Sequence, residues 1–201
     1  MTDSTMNTHA GIDQSAAGRQ TRTNTKTYDI VYVALFAVLI AICSWISVPA
    51  TVPFTLQTMG VFLAAGILGG RRGTLSVLVY ILLGAIGLPV FAGFTGGPQV
   101  VLGPTGGYIV GYIAMALIAG PVIDRYCNNR LICVIGMVAA TLVLYALGTA
   151  WLAYSAHMTF TAALAVGVLP FAAIDLAKIC LCAIVGPVIR NRLTASGLMV
   201  Y

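Results

Sequence analysis

Three long stretches without a charged side chain dominate this sequence. Residues 30–70, 73–123 and 131–174 contain no Asp, Glu, Lys or Arg, and the whole chain has no Glu. Hydrophobic residues make up 60% of the chain and charged residues only 7%, whereas soluble domains are about 45–50% apolar and about 25% charged. This composition excludes a water-soluble enzyme, a disordered regulator, a disulfide scaffold and a nucleic-acid-binding domain. It indicates an integral membrane protein.

Each charge-free stretch is longer than the roughly 20 apolar residues that one transmembrane helix needs. Turn residues divide each stretch in two, at Pro49 and Pro53, in the Gly- and Pro-rich segment 87–107, and in the polar patch 154–159. The alternation typical of transmembrane β-strands is missing. The sequence therefore predicts an all-α integral membrane protein with six transmembrane helices, the second and third of them short, at residues 29–47, 55–70, 73–88, 105–123, 131–152 and 163–189.

The basic residues predict the orientation of these helices. All but one of the Lys and Arg residues lie before span one, between spans two and three, between spans four and five, or after span six: Arg19, Arg22, Lys26, Arg71, Arg72, Arg125, Arg130, Arg190 and Arg192. Loops rich in Lys and Arg stay in the cytoplasm. We therefore expect both termini to be cytoplasmic and the loops near 48–54, 89–104 and 153–162 to lie outside. Residues 1–27 are expected to form a disordered cytoplasmic tail, residues 28–190 the six-helix domain, and residues 191–201 a short cytoplasmic tail.

Sequence patterns of enzymes are missing from the chain. An H-E-x-x-H zinc site is impossible without Glu, no serine lies in G-x-S-x-G, and neither lysine stands in the Gly-Lys-Ser/Thr of a P-loop. The five cysteines form no C-x-x-C pair, and we interpret them as packing residues. We expect a protein that is not an enzyme, has no ATPase motif of its own and uses no cofactor or metal.

Asp175 and Lys178 are the most informative polar residues, because both fall inside the sixth predicted span. A charge at the centre of a bilayer costs about 2.5–3.5 kcal/mol on insertion scales. Residues at i and i+3 share a helix face, so the two side chains can pair. The pair could be purely structural. Intramembrane ionisable residues more often mark a substrate or ion path, which favours a binding site for a small polar ligand.

Two outer segments are further candidates. In V-P-F-T-L-Q-T at 52–58, Thr55 is a plausible helix N-cap, and Gln57 could equally serve a pocket or a helix–helix hydrogen bond. The long connection from Gly87 to Tyr108 is rich in glycine and could act as a lid, or simply turn and pack tightly.

Small residues recur along the first span at Ala34, Ala37 and Ala41. Small residues four apart let helices approach closely in lipid. They could pack inside this protein or form a docking stripe for another membrane subunit.

Four motifs together resemble one family. V-P-F-T-L-Q-T at 52–58, L-L-G-A-I-G-L-P-V-F-A-G at 82–93, G-P-T-G-G-Y at 103–108 and D-L-A-K at 175–178 resemble BioY, the biotin-capturing S component of energy-coupling-factor (ECF) transporters. The resemblance covers residues 28 to about 190. It implies an S-component bundle in the cell membrane of a prokaryote, with a biotin site near the outer face that is covered by the first outer loop.

The resemblance also implies roles for individual residues. Asp175 and Lys178 would bind the polar groups of biotin, helped by residues of the two outer segments, namely Phe54, Thr55, Gln57, Phe91, Gly93 and Tyr108. Ala37 and Ala41 would dock on the transmembrane coupling (T) subunit. The remaining partners would be two cytosolic ABC-type ATPases, which fits the missing P-loop. The alternatives are an S component for another vitamin, a solitary facilitator or channel, and an intramembrane enzyme that uses Asp175 and Lys178.

Overall fold

The computed structural model describes residues 27–50, 52–126 and 129–196. By its internal contacts the chain divides into two units, Met1–Tyr32 and Val33–Tyr201. Only residues 27–32 of the first unit are described, and they form the first turns of helix α1. The predicted tail over residues 1–27 lies outside the described residues except for Thr27. The other described residues, 33–50, 52–126 and 129–196, belong to the second unit.

The described residues are predominantly helical, and the predicted all-α class is confirmed. A two-stranded β-ribbon is the only sheet among them. In chain order the elements are α1 (Thr27–Trp45), β1 (Ser47–Val48), β2 (Phe54–Thr55), α2 (Gln57–Leu68), α3 (Gly70–Ala85), a 3-10 turn (Ala92–Phe94), α4 (Pro98–Val101), α5 (Gly106–Tyr126), α6 (Arg130–Ser155), α7 (Phe160–Gly167) and α8 (Leu169–Ala195).

Four of the described helices, α1, α5, α6 and α8, are long and apolar enough to cross a membrane. The two helices that correspond to the short predicted spans are α2, with 12 residues, and α3, with 16 residues. At 1.5 Å per residue they are about 18 and 24 Å long, less than the roughly 30 Å of a bilayer core. The protein is therefore a multi-pass membrane protein, and the count of six spans stays a prediction.

The turn between α2 and α3 needs glycine. Gly69 joins the two helices with a φ of 85°, a left-handed conformation that is strained for residues with a Cβ atom. The turn lies against the carboxyl end of α5, because the backbone N–H of Gly70 donates to Oδ2 of Asp124 at 2.7 Å. Oδ1 of Asp124 also accepts from Arg190 of α8 at 2.7 Å. One carboxylate thus joins three elements at the end of the molecule where the basic residues gather.

The outer connections are more ordered than the sequence predicts. The segment expected to be a plain loop at 48–54 is closed by an antiparallel β-ribbon, in which Ser47 of β1 pairs with Thr55 of β2. Within the connection at 89–104, the chain forms the 3-10 turn and α4. Trp45 ties the end of α1 to this connection, since its indole Nε1 donates to the carbonyl of Pro89 at 2.9 Å and its ring stacks on Phe94.

The last predicted span, at residues 163–189, is divided into the two helices α7 and α8. Its predicted start at residue 163 is corrected to Phe160. Helix α7 ends at Gly167, Val168 leaves helical geometry with φ −127° and ψ −52°, and α8 begins at Leu169. Pro170 explains the break, because its ring disfavours helical geometry in the preceding residues and it lacks an N–H to bond back to α7. Helix α8 also continues to Ala195, so the predicted tail from residue 191 begins inside a helix.

Candidate functional site

A cavity of about 110 Å³ lies beside the N-terminal half of α8. Since a water molecule needs about 10–15 Å³ by this measure, the cavity has room for several waters or one small organic group. Most of its surface is apolar, with a few polar groups converging on it. Its walls come from β2, α2, the outer connection, α5, α6, α7 and α8, and include Val52, Thr55, Gln57, Thr58, Phe91, Tyr108, Tyr112, Leu144, Tyr145, Phe171, Asp175 and Lys178.

The ion pair predicted within the sixth span forms on the wall of this cavity. Lys178 Nζ lies 2.8 Å from Asp175 Oδ1, and both side chains are only 6% exposed. The spacing of three residues places both groups on the same face of α8. Pairing offsets much of the cost of removing two charges from water.

Neighbouring helices and the β-ribbon complete this ion pair. Lys178 Nζ also donates to the Thr55 carbonyl at 2.8 Å and to the Thr58 hydroxyl at 3.3 Å. The Thr58 hydroxyl donates to Asp175 Oδ1 at 3.0 Å, and the Tyr145 hydroxyl donates to Asp175 Oδ2 at 2.6 Å. All three ammonium protons are therefore used. A carboxylate has about four lone-pair sites, so Asp175 keeps room for one more donor.

Phe54 packs beside the ion pair and does not line the cavity wall. Its ring lies 4.5 Å from Lys178 Nζ, within cation–π distance, and stacks on Phe171 with 5.5 Å between ring centroids. Phe171 does line the cavity. Phe54 therefore supports the ammonium from the side of the ribbon.

Gln57 and Thr55 stand at the start of α2. Gln57 Nε2 donates to the Tyr80 hydroxyl at 2.7 Å, so the amide serves a helix–helix hydrogen bond as well as the cavity wall. The predicted N-cap is displaced, because Thr55 belongs to β2 and Leu56 precedes the helix. The Thr55 hydroxyl still accepts from the backbone N–H of Gln57 at 3.2 Å, so it satisfies one donor of the first turn.

The outer connection contributes Phe91 and Tyr108 to the cavity wall. Phe91 is 2% exposed and packs edge-on against Tyr80. The Tyr108 hydroxyl donates to the carbonyl of Gly167 at 3.2 Å, where the break between α7 and α8 leaves that carbonyl available. Gly93 does not line the cavity. It lies in the 3-10 turn with a φ of 67°, a conformation that favours glycine.

Comparison with known proteins identifies the family. The profile of the BioY family matches residues 17–195. This chain belongs to the BioY family. The biotin transporter BioY of Thermotoga maritima is 43% identical over 157 residues, which cover 78% of this chain and 92% of that protein. A probable biotin transporter BioY of Pyrococcus horikoshii is 43% identical over 154 residues, which cover 76% of this chain and 90% of that protein.

A solved structure is similar to most of this BioY-family chain. The S-component for biotin from an ECF-type ABC transporter superposes with a TM-score of 0.78 at 28% identity. The match covers 84% of this chain and 93% of that one. The resemblance seen in the sequence motifs is thereby confirmed.

Sequence reasoning missed several BioY-family cavity residues. Tyr145 and Thr58 bind the Asp175 carboxylate directly, and Tyr112, which is 7% exposed, lines the same cavity. Tyr145 lies in the fifth predicted span between Thr141 and Thr149, and this row of hydroxyls spaced four residues apart in an apolar helix was the available signal. Thr58 is the last residue of the V-P-F-T-L-Q-T motif, but only the fold brings its hydroxyl to Asp175.

Ala37 and Ala41, the residues predicted to dock on the T subunit, lie inside the bundle, and their docking role stays a prediction. Their side chains are 1% and 3% exposed, because neighbouring residues of this chain already enclose them. Helix α1 approaches α2 so closely that a Cβ atom on Gly60 would lie 3.2 Å from Cα of Ile40. The small residues thus serve internal packing. The exposed apolar side chains of α1 instead include Leu35, Val38 and Ile42.

The cysteine prediction holds for three of the five residues. Cys43, Cys133 and Cys182 are buried, whereas Cys180 is exposed on the outer face of α8. Cys127 lies outside the described residues.

Proposed function

We propose that this chain is the substrate-binding S component of an ECF-type importer and that it captures biotin from the outer side of the membrane. The observation that carries the proposal is the buried Asp175–Lys178 pair on the wall of a mostly apolar cavity. Ligand sites for small molecules are typically apolar with a few fixed polar groups. The names of the T. maritima and P. horikoshii relatives and of the structural neighbour support biotin as the ligand.

The chemistry of biotin fits the groups around the cavity. Biotin has a ureido ring with N–H donors and a carbonyl, an apolar ring and chain, and a terminal carboxylate. Asp175 can accept one further N–H, while Lys178 must exchange one of its three present partners for a ligand oxygen. Phe91, Phe171 and Tyr112 provide apolar faces for the ring and chain.

The outer segments would close this site. Thr55 and Gln57 reach the cavity from the β-ribbon and the start of α2, and Phe91 and Tyr108 reach it from the other connection.

Phe54 would act indirectly, by holding the Lys178 ammonium. Gly93 would act only through the shape of its turn. Trp45, at the end of α1 and just before the β-ribbon, is hydrogen-bonded to Pro89 in the connection at 89–104. The two outer segments would therefore move together.

A six-span topology with both termini in the cytoplasm follows from the same proposal. Helices α2 and α3 form a tight antiparallel pair around Gly69 and would span the bilayer as short helices. The described basic residues other than Lys178 stand at the α2–α3 turn, at the end of α5, at the start of α6 and at the end of α8, and loops with such an excess of Lys and Arg face the cytoplasm.

Energy for uptake would come from partners. The partners would be a transmembrane coupling (T) subunit and two cytosolic ABC-type ATPases; the structural neighbour, named as a component of an ECF-type ABC transporter, supports partners of this general kind. They would reorient the loaded S component within the cell membrane.

Isothermal titration of the purified, ligand-stripped full chain in detergent tests the ligand assignment. We expect one-to-one binding of biotin and none of riboflavin or thiamine. Biotin methyl ester, titrated in parallel, shows whether the carboxylate charge contributes, because the ester keeps the ureido ring and loses that charge. Absence of biotin binding by a monodisperse sample contradicts the proposal.

Uptake of labelled biotin by cells tests the energy source separately. We expect accumulation against a gradient only when the T subunit and ATPases are expressed with this chain. Equal accumulation without them would instead identify a solitary transporter.

A further inference from the structure

A second depression lies away from the cavity, at the end of the molecule that carries the basic residues. Its volume is about 460 Å³, and it lies between the start of α3 and the end of α5. Its walls are Gly70, Arg71, Thr74, Leu75, Leu117 and Pro121. None of these residues borders the candidate ligand site.

The two walls of this groove run in opposite chain directions away from the same end. The start of α3 meets the end of α5, since a Cβ atom on Gly70 would lie 3.0 Å from the backbone nitrogen of Pro121. Leu75 stands about one helical turn above Arg71, and Leu117 about one turn above Pro121. The groove therefore has a charged mouth and an apolar interior that extends toward the middle of the membrane.

The mouth of the groove offers an available positive charge. Arg71 is exposed, and neither of the two ion pairs described in residues 27–50, 52–126 and 129–196 involves it. The nearest carboxylate on α5, Asp124, is already bound to Arg190 and to the backbone N–H of Gly70. Leu75 and Leu117 are 45% and 56% exposed, so the apolar walls are open to a ligand that lies alongside them.

We propose that this groove binds an anionic phospholipid, with its phosphate on the Arg71 guanidinium and one acyl chain along Leu75 and Leu117. A guanidinium matches a phosphate well because it can donate two parallel hydrogen bonds. Basic pockets between membrane helices at the cytoplasmic surface are suited to anionic headgroups. A phospholipid also has the required layout, because its charge stays at the membrane surface and its chains run along the helices. A protein segment would match the charge but has no reason to follow the apolar walls inward.

Native mass spectrometry of the full-length protein in detergent tests this site. The sample is titrated with palmitoyl-oleoyl phosphatidylglycerol or with phosphatidylcholine that carries the same chains. We expect phosphatidylglycerol to bind more tightly, and Arg71→Gln to weaken it about fivefold, the equivalent of one basic residue near a membrane surface. Arg71→Lys should keep most of the preference, and Leu117→Trp should fill the groove and weaken both lipids.

Arg130→Gln is the matched control, because it removes the same charge at the same end of the molecule but outside the groove. Equal losses in Arg71→Gln and Arg130→Gln would mean a diffuse surface attraction and would overturn the proposal. Equal binding of both lipids by the unmodified protein would also overturn it. Unchanged lipid binding in Arg71→Gln together with lost co-purification of the coupling subunit would identify a protein interface instead.

Discussion

Helix α8 carries one ion pair in its N-terminal half and another near its C-terminal end, and the two pairs are built differently. Asp175 and Lys178 lie one turn apart on α8 and are each 6% exposed. Arg190 reaches from α8 to Asp124 on α5, with exposed fractions of 11% and 39%. Both pairs have short distances between their charged atoms, 2.8 and 2.7 Å respectively.

The surroundings of the two pairs indicate different roles. The Asp175–Lys178 pair lines a cavity, and its other partners include two side-chain hydroxyls, which can rotate toward a ligand. In the Asp124–Arg190 pair, the Asp124 carboxylate also accepts from the backbone N–H of Gly70. The pair therefore connects α3, α5 and α8 at the charged end. Proximity of opposite charges is therefore a poor guide to function. A ligand site is recognised by an adjacent cavity and by hydroxyl partners that can rotate. A structural ion pair lines no cavity and bonds to backbone groups.

Lys178→Met should have the largest effect. It removes the ammonium proposed to bind a ligand oxygen and leaves the buried Asp175 carboxylate without its cation; truncating one partner of a buried charge pair at a binding interface costs about 2–5 kcal/mol, so we expect biotin affinity to fall by about a hundredfold or more. Isothermal titration measures the loss. Arg192→Met, on an exposed position of the same helix, should bind biotin normally. Unchanged affinity in both Lys178→Met and Asp175→Asn would contradict the assignment of this pair to the ligand.

Tyr145→Phe should come next. It removes the hydroxyl that holds Asp175 Oδ2 at 2.6 Å, and hydrogen bonds to charged groups contribute about 1.5–3 kcal/mol. We expect biotin affinity to fall by about tenfold to a hundredfold in the same titration. Tyr154→Phe is the matched control on α6, because Tyr154 is 76% exposed. If both variants bind alike, Tyr145 has no part in positioning Asp175 for the ligand.

Asp124→Asn should reverse the pattern, with lower stability and unchanged binding. It weakens the contacts to Arg190 and Gly70, and because Asp124 is 39% exposed, we expect a loss of only about 1–2 kcal/mol. Thermal unfolding in detergent, with and without biotin, measures both properties. A clear loss of biotin affinity at an unchanged melting temperature would show that the second pair also serves the ligand site.

Tyr108→Phe should have the smallest effect. It removes a neutral hydrogen bond to the Gly167 carbonyl at 3.2 Å, worth about 1 kcal/mol, and keeps the ring on the cavity wall. We expect slightly lower thermal stability and a biotin affinity within tenfold of the unmodified protein. Tyr126→Phe, at the far end of α5, provides the reference for a hydroxyl outside the cavity. A loss of affinity as large as that of Lys178→Met would assign the Tyr108 hydroxyl to the ligand.

The helices and the ligand residues were predictable to different degrees. Long charge-free stretches predicted α1, α5 and α6 to within a few residues, since a membrane helix must satisfy all its backbone groups internally and stay apolar. The break at Val168 and the β-ribbon beside α1 were missed, because each depends on a few local residues inside apolar sequence. The ion pair was predictable because charges within an apolar span are rare.

By itself the sequence determined the membrane class, the sites of most helices, the shared face of Asp175 and Lys178, and the family. These properties depend on local composition and helical spacing, which are written along the chain. The tertiary structure alone decided that Tyr145 and Thr58 bind Asp175, that Phe54 supports Lys178 from beside the cavity, and that Ala37 and Ala41 are enclosed. These contacts join residues far apart in sequence, such as Thr55 and Lys178. Which of many apolar helix faces meet is set by packing of the whole bundle.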